Sequence, residues 1–207
     1  FRKRFMPYTT NNQTKIYWEE HGAGEPLLLI MGLGGTLRGW WRILPQLSEK
    51  YRVIIFDNRG VGESDTPPAP YSIAEMMRDS KAVLDAAKIE SANVLGLSMG
   101  GMIAQELTLN FPEKVRSLIL AGTFCGGKEA VWANREVTEA LQGRGANSAE
   151  EAFWAMTPFI YDVSTPRLFL EEDLAAREGR FPKPAHFMAQ LQAIVSWQGT
   201  YSRLSQI

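Results

Sequence analysis

Asn93-Val94-Leu95-Gly96-Leu97-Ser98-Met99-Gly100-Gly101 is an apolar run that breaks at a serine set between glycines and restarts, from Met102, with helical spacing. The pattern predicts a strand, a sharp turn at Ser98 and a helix. A serine hydroxyl is a weak nucleophile unless it is held clear of the backbone, near a base and beside donors for an oxyanion. A strand-to-helix turn supplies two of those three. It lifts Ser98 out of the end of a sheet and aims the Met99 amide at the developing charge. Gly96 and Gly100 stand two residues either side of Ser98, where helix and strands crowd too closely for side chains. A bare G-x-S-x-G arises by chance in about one chain of this length in fifteen. The weight comes from context: β-favouring residues precede Ser98, and Met102, Ile103, Gln105, Glu106 and Leu107 suit a helix with one buried face.

The 207 residues suit one domain with a large core and room for an insertion. A formal net charge of −1 and the lack of a long basic run argue against nucleic acid or an anionic membrane as the main partner. A small neutral or weakly charged ligand fits better, with no cofactor or metal called for. Cys125 is the only cysteine, so no internal disulfide forms, and no stretch is long and apolar enough to span a bilayer. These features predict a cytoplasmic location. The start, Phe1-Arg2-Lys3-Arg4-Phe5, is basic, lacks an initiator methionine and precedes no apolar segment of signal-peptide length, as a trimmed end would.

Taken in order, residues 6–10 and 15–20 read as two short strands around Asn11-Asn12, followed by a turn at His21-Gly22-Ala23-Gly24. Pro26-Leu27-Leu28-Leu29-Ile30-Met31 is continuously apolar, which predicts a central strand covered on both faces. The glycine loop Gly32-Leu33-Gly34-Gly35 follows and leads into a proline-marked helix start at residues 40–47. Arg52-Val53-Ile54-Ile55-Phe56 is the next buried strand, and Asp57-Asn58-Arg59-Gly60-Val61-Gly62-Glu63-Ser64 a polar loop. Ser72 with Glu75 predicts a capping box for a helix that buries Ile73, Met76, Met77, Val83, Leu84 and Ala87. After the Ser98 unit, residues 115–121 form a further apolar strand. Strand and helix alternating at this spacing predict an α/β fold, with a mostly parallel sheet and helices on both faces.

From Phe124 the pattern changes. Helices are expected over residues 128–142, 149–156, 165–177 and 183–196, rich in aromatic residues and methionine. Most of these large side chains are expected to pack a helical subdomain against the sheet. An insertion at this point would lie over the C-terminal edge of the strands, where open α/β sheets bind ligands, and so reads as a lid. The expected organisation is a core over residues 1–123, a helical cap over 124–199 and a return to the core over 200–207.

Residues 28–35, the loop from Asp57 to Ser64 and Gly96-Leu97-Ser98-Met99-Gly100-Gly101 together resemble the α/β-hydrolase superfamily, in the manner of enol-lactonases, small carboxylesterases and cofactor-free haloperoxidase-like hydrolases. The resemblance implies that Ser98 is the nucleophile and that the Leu33 and Met99 amides are the oxyanion donors. It implies a mainly structural role for Asp57, Arg59 and Gly60, as a buried cluster of arginine and carboxylate. Two departures stand out. Met31 occupies the position where such enzymes usually have the histidine of a His-Gly pair, so the loop needs other support. The triad order in this fold is Ser, acid, His, but His21 precedes Ser98 and His186 lies in the helical segment, while Thr123-Phe124-Cys125 offers no acid after the sixth strand.

Residues 201–207 resemble the connection that leads, in relatives, into the strand carrying the acid. The fold is therefore expected to continue past Ile207, with acid and histidine on later strands or on a separate C-terminal polypeptide, and with β-edge pairing or homo-oligomerisation covering the last strand. The reading that follows is a serine hydrolase of small carboxylic esters or lactones. Peracid formation, halide oxidation and C–C bond hydrolysis share the scaffold, and a non-catalytic binding protein is the alternative from another class.

Overall fold

The computed structural model describes residues 7–143, 148–177, 179 and 181–207. The basic start and Met6 lie outside these residues. Six strands form one sheet in the order β1-β2-β4-β3-β5-β6, with β1 at Tyr8–Asn11, β2 at Thr14–His21, β3 at Glu25–Ile30, β4 at Tyr51–Phe56, β5 at Ala92–Leu97 and β6 at Val115–Ala121. β1 and β2 pair antiparallel, as do β2 and β4, whereas β4, β3, β5 and β6 run parallel. The hairpin turn sits one residue later than expected. Asn12 and Gln13 occupy it with φ of 46° and 69°, and Asn11 pairs with Thr14 as the last rung of the ladder.

Both faces of β3 and β4 are buried, which is why their sequences are unbroken apolar runs. On one face Leu28, Ile30, Ile54 and Phe56 pack with α2 (Ile73–Ala86) and α3 (Met99–Asn110), through Met76, Leu84, Met102 and Ile103. On the other, Leu27, Leu29, Val53 and Ile55 meet Leu37 and Trp40 of a short 3₁₀ helix and Leu44 and Leu47 of α1 (Leu44–Ser48). Ser72 caps α2 by accepting from the Glu75 amide. The Glu75 carboxylate accepts from the Ser72 hydroxyl and from Arg59 rather than from the Ser72 amide, so only half of the expected box forms.

After β6 come α4 (Arg135–Gly143), α5 (Ala149–Ile160), α6 (Arg167–Arg177) and α7 (Pro184–Ser196), then a 3₁₀ helix at Tyr201–Gln206. α4 starts later than residue 128. Gly126 and Gly127 take positive φ, and Asn134 caps the helix by accepting the Val137 amide. α7 buries Phe187, Ala189, Gln190 and Ala193 against the sheet side of the molecule. The chain then returns to α3: the Thr200 hydroxyl donates to Gln105, and Trp197 and Arg203 donate to Glu106.

Candidate active site

Ser98 sits between β5 and α3 with φ 55° and ψ −120°, a left-handed conformation that costs a residue with a β-carbon about 1–3 kcal/mol. Three hydrogen bonds hold it there. The Ser98 amide donates to the Ala121 carbonyl, and its own carbonyl accepts from the Gly101 amide (2.8 Å) and from the Thr123 hydroxyl (2.8 Å). The flanking glycines are needed sterically, because a β-carbon at Gly96 would run into the Gly100 carbonyl, and one at Gly100 into that of Ile30. A β-carbon on Gly32 would lie 3.0 Å from Cβ and 3.5 Å from Oγ of Ser98, so the glycine loop passes directly beside the hydroxyl.

That loop places Leu33 at the cavity into which Ser98 opens, and Met99 starts α3, where helix geometry leaves the first amides without a carbonyl of their own helix. Met31 does not leave the loop unsupported. Its carbonyl accepts from Asn58 Nδ2 (3.0 Å), and its side chain fills the space beside Gly35 and Gly39. Gln190, fully buried on α7, accepts from the Gly34 amide and donates to the Arg59 carbonyl, both at 2.8 Å. Gln190 carries no motif and stands 156 positions from Gly34, so the sequence offered no sign of it.

Arg59 and Asp57 are structural in their contacts. Arg59 makes a two-pronged pair with buried Asp79 (2.7 and 2.9 Å) and a third bond to Glu75. Asp57 accepts from the Leu37 and Glu63 amides. Both histidines lie away from the serine. His21 ends β2 opposite Val53, at the edge of the sheet remote from Ser98, and bonds Glu19. His186 stands on α7 with Nδ1 3.4 Å from the Tyr71 hydroxyl.

Ser98 opens into a cavity of about 780 Å³ between the sheet edge and the helical segment. Its lining includes Leu33, Met102, Phe124, Trp132, Phe153, Met156, Phe159, Phe181 and Leu191, together with Tyr161 and Arg177. The Tyr161 hydroxyl donates to Asp173 (2.7 Å), and burial, reinforced by that carboxylate, pushes its pKa up to about 12. Among the described residues no histidine lines the cavity, and no cluster of side chains suited to a metal ion occurs. No helix among them is long and apolar enough to cross a membrane.

A sequence profile described as the α/β-hydrolase fold matches residues 25–156. The RutD protein of Azorhizobium caulinodans, provisionally named as a carbamate hydrolase, is 34% identical over 206 residues, covering 98% of this chain and 76% of RutD. The 3-oxoadipate enol-lactonase 2 of Acinetobacter baylyi is 35% identical over 74% of this chain, a stretch that makes up 58% of the lactonase. Among solved structures, Est816, described as an N-acyl homoserine lactone degrading enzyme, superposes with a TM-score of 0.77 at 28% identity, over 97% of this chain and 78% of its own.

Proposed function

Since the chain belongs to the α/β-hydrolase fold family, we propose that it acts as a serine hydrolase of small carboxylic esters or lactones, through an acyl-enzyme on Ser98. The observation that carries this is the strained Ser98 turn opening, beside the Gly32-Leu33 loop, into the largely apolar cavity. A lactonase and a lactone-degrading enzyme among its similar proteins support the ester and lactone class. Ser98 Oγ attacks the carbonyl, and the Leu33 and Met99 amides receive the oxyanion. Loss of one such donor costs about 10² to 10³ in rate. The helical segment over residues 124–199 serves as the lid that excludes water and shapes the substrate site.

A base must take the Ser98 proton, and neither described histidine is placed for it. On this reading the acid and histidine of the triad lie outside the described residues; the chain spans 76% of the length of RutD. A second reading, a non-catalytic protein that binds a small molecule in this cavity, draws on that same lack of a neighbouring histidine.

Treating the intact protein with a fluorophosphonate separates the two readings. The expected result is a covalent adduct on the peptide carrying Ser98, lost in Ser98→Ala with the fold unchanged by circular dichroism. No adduct would favour the binding protein, and an adduct that persists in Ser98→Ala would remove Ser98 as the nucleophile.

A further inference from the structure

Among the described residues, one charged side chain lines the cavity over Ser98. Of the described residues lining it, Arg177 alone is ionised, and the others are apolar, aromatic, hydroxyl-bearing or glycine. Arg177 is half-buried at the end of α6, with its guanidinium carbon 5.6 Å from the centre of the Phe153 ring. The described carboxylates of α6 are all committed elsewhere. Asp173, one turn back, accepts from Trp41 Nε1, Arg42 Nε and the Tyr161 hydroxyl. Glu172 pairs with Arg42, and Glu171 with Arg167. Asp173 thereby ties the last turns of α6 to the segment after the glycine loop, and Arg177 is held at the cavity with a ring face as its neighbour.

A guanidinium taken partly out of water beside an aromatic wall costs solvation energy that a ring face only partly returns. Its planar fork matches a carboxylate with two parallel hydrogen bonds. We propose that Arg177 is a subsite for a carboxylate on the substrate, at the end remote from the bond that Ser98 attacks. The substrate class is then an ester or lactone whose acyl part carries a second, ionised carboxyl group on an apolar chain. This rests on the hydrolase reading for the scissile bond, although the anion subsite stands on geometry of its own. The contrary account is an arginine whose stem covers apolar surface while its head reaches water.

The test uses the intact protein carrying Ser98→Ala, so that probes are not consumed. Monomethyl adipate, an anion at neutral pH, is compared with methyl hexanoate, its neutral counterpart, by quenching of tryptophan fluorescence, to which Trp132 at the cavity contributes. The anion is expected to bind about tenfold or more tightly. Arg177→Gln should abolish that preference, and Arg177→Lys should restore part of it. Equal binding of the two probes, a preference that survives Arg177→Gln, or binding of neither would overturn the proposal. Fluorophosphonate labelling of the unsubstituted protein is scored separately: an anion preference without labelling retires the nucleophile and keeps the subsite, and labelling without preference does the reverse.

Discussion

At the scale of single residues, the site depends on a serine in a conformation it would not choose. The turn persists because its neighbours leave no alternative: the Ala121 carbonyl, the Gly101 amide and the Thr123 hydroxyl together fix both peptide groups of Ser98. Gly100 is the weakest point of this arrangement. A β-carbon there meets the carbonyls of Ile30 and Met31, which are backbone of β3 and the loop after it and cannot swing aside as a side chain would. Gly100→Ala should therefore lower stability by about 1–3 kcal/mol in urea titration. It should also slow fluorophosphonate labelling, by up to about 10²-fold, since displacements of about 1 Å in a reacting group carry that penalty. Unchanged stability and labelling would show that helix and strand can part without disturbing the serine. Gly122 differs in kind, for a β-carbon there meets only Leu97 Cδ1 at 3.9 Å, and the strain of a substitution would come from its φ of 53°.

At the scale of elements, alternation along β2 sets Tyr17, Glu19 and His21 on one face. The Tyr17 hydroxyl and His21 Nε2 both bond the Glu19 carboxylate, at 2.7 and 2.9 Å, with Arg38 at 3.8 Å. The His21 bond leads in drawing the Glu19 pKa down from 4.5 to about 2; burial opposes it, and Tyr17 and Arg38 assist. A carboxylate held below its unfolded value binds fewer protons in the folded state. Its contribution to stability is therefore complete above about pH 4.5 and is lost as the pH falls towards 2. Glu19→Gln should be less stable than the unsubstituted protein at about pH 6, and the difference should close by about pH 2. A gap in urea midpoint that is constant across this range would sink the assignment.

The element scale is also where the sequence was most readable. Residues 26–31 and 52–56 were legible because strands buried on both faces must be apolar throughout, and the Ser98 turn because its glycines are sterically required. The start of α4 was not, since Asn134 ends the preceding loop by capping Val137, while Cys125 is pinned by the Thr200 amide from 75 positions away. The supports of the site were hidden for the same reason. Gln190 and Arg177 have meaning only once α7 and α6 are laid over the sheet edge, and periodicity along the chain carries no record of that.

At the scale of the whole molecule, the two edges of the sheet differ. β1 is polar and engaged, with the Thr9 hydroxyl donating to the Ala82 carbonyl and Asn11 to Asp79. β6 is neither. Ile119 is 49% exposed and Leu120 43%, on opposite faces of the strand. Ile119 stands beside Leu95 in register, so the exposed surface continues onto half-buried Leu95 and Leu97 of β5, at the margin of the cluster formed with α1. An unpaired apolar edge is a template for another strand. This chain should accordingly self-associate through β6 at micromolar to millimolar concentrations. Ile119→Lys should shift it towards monomer in light scattering while leaving the core untouched, because that side chain already faces water. A polypeptide that supplies the triad acid and base would pair with the same edge, and its addition should both suppress association and raise the labelling rate of Ser98. If association persists undiminished in Ile119→Lys, another surface is responsible.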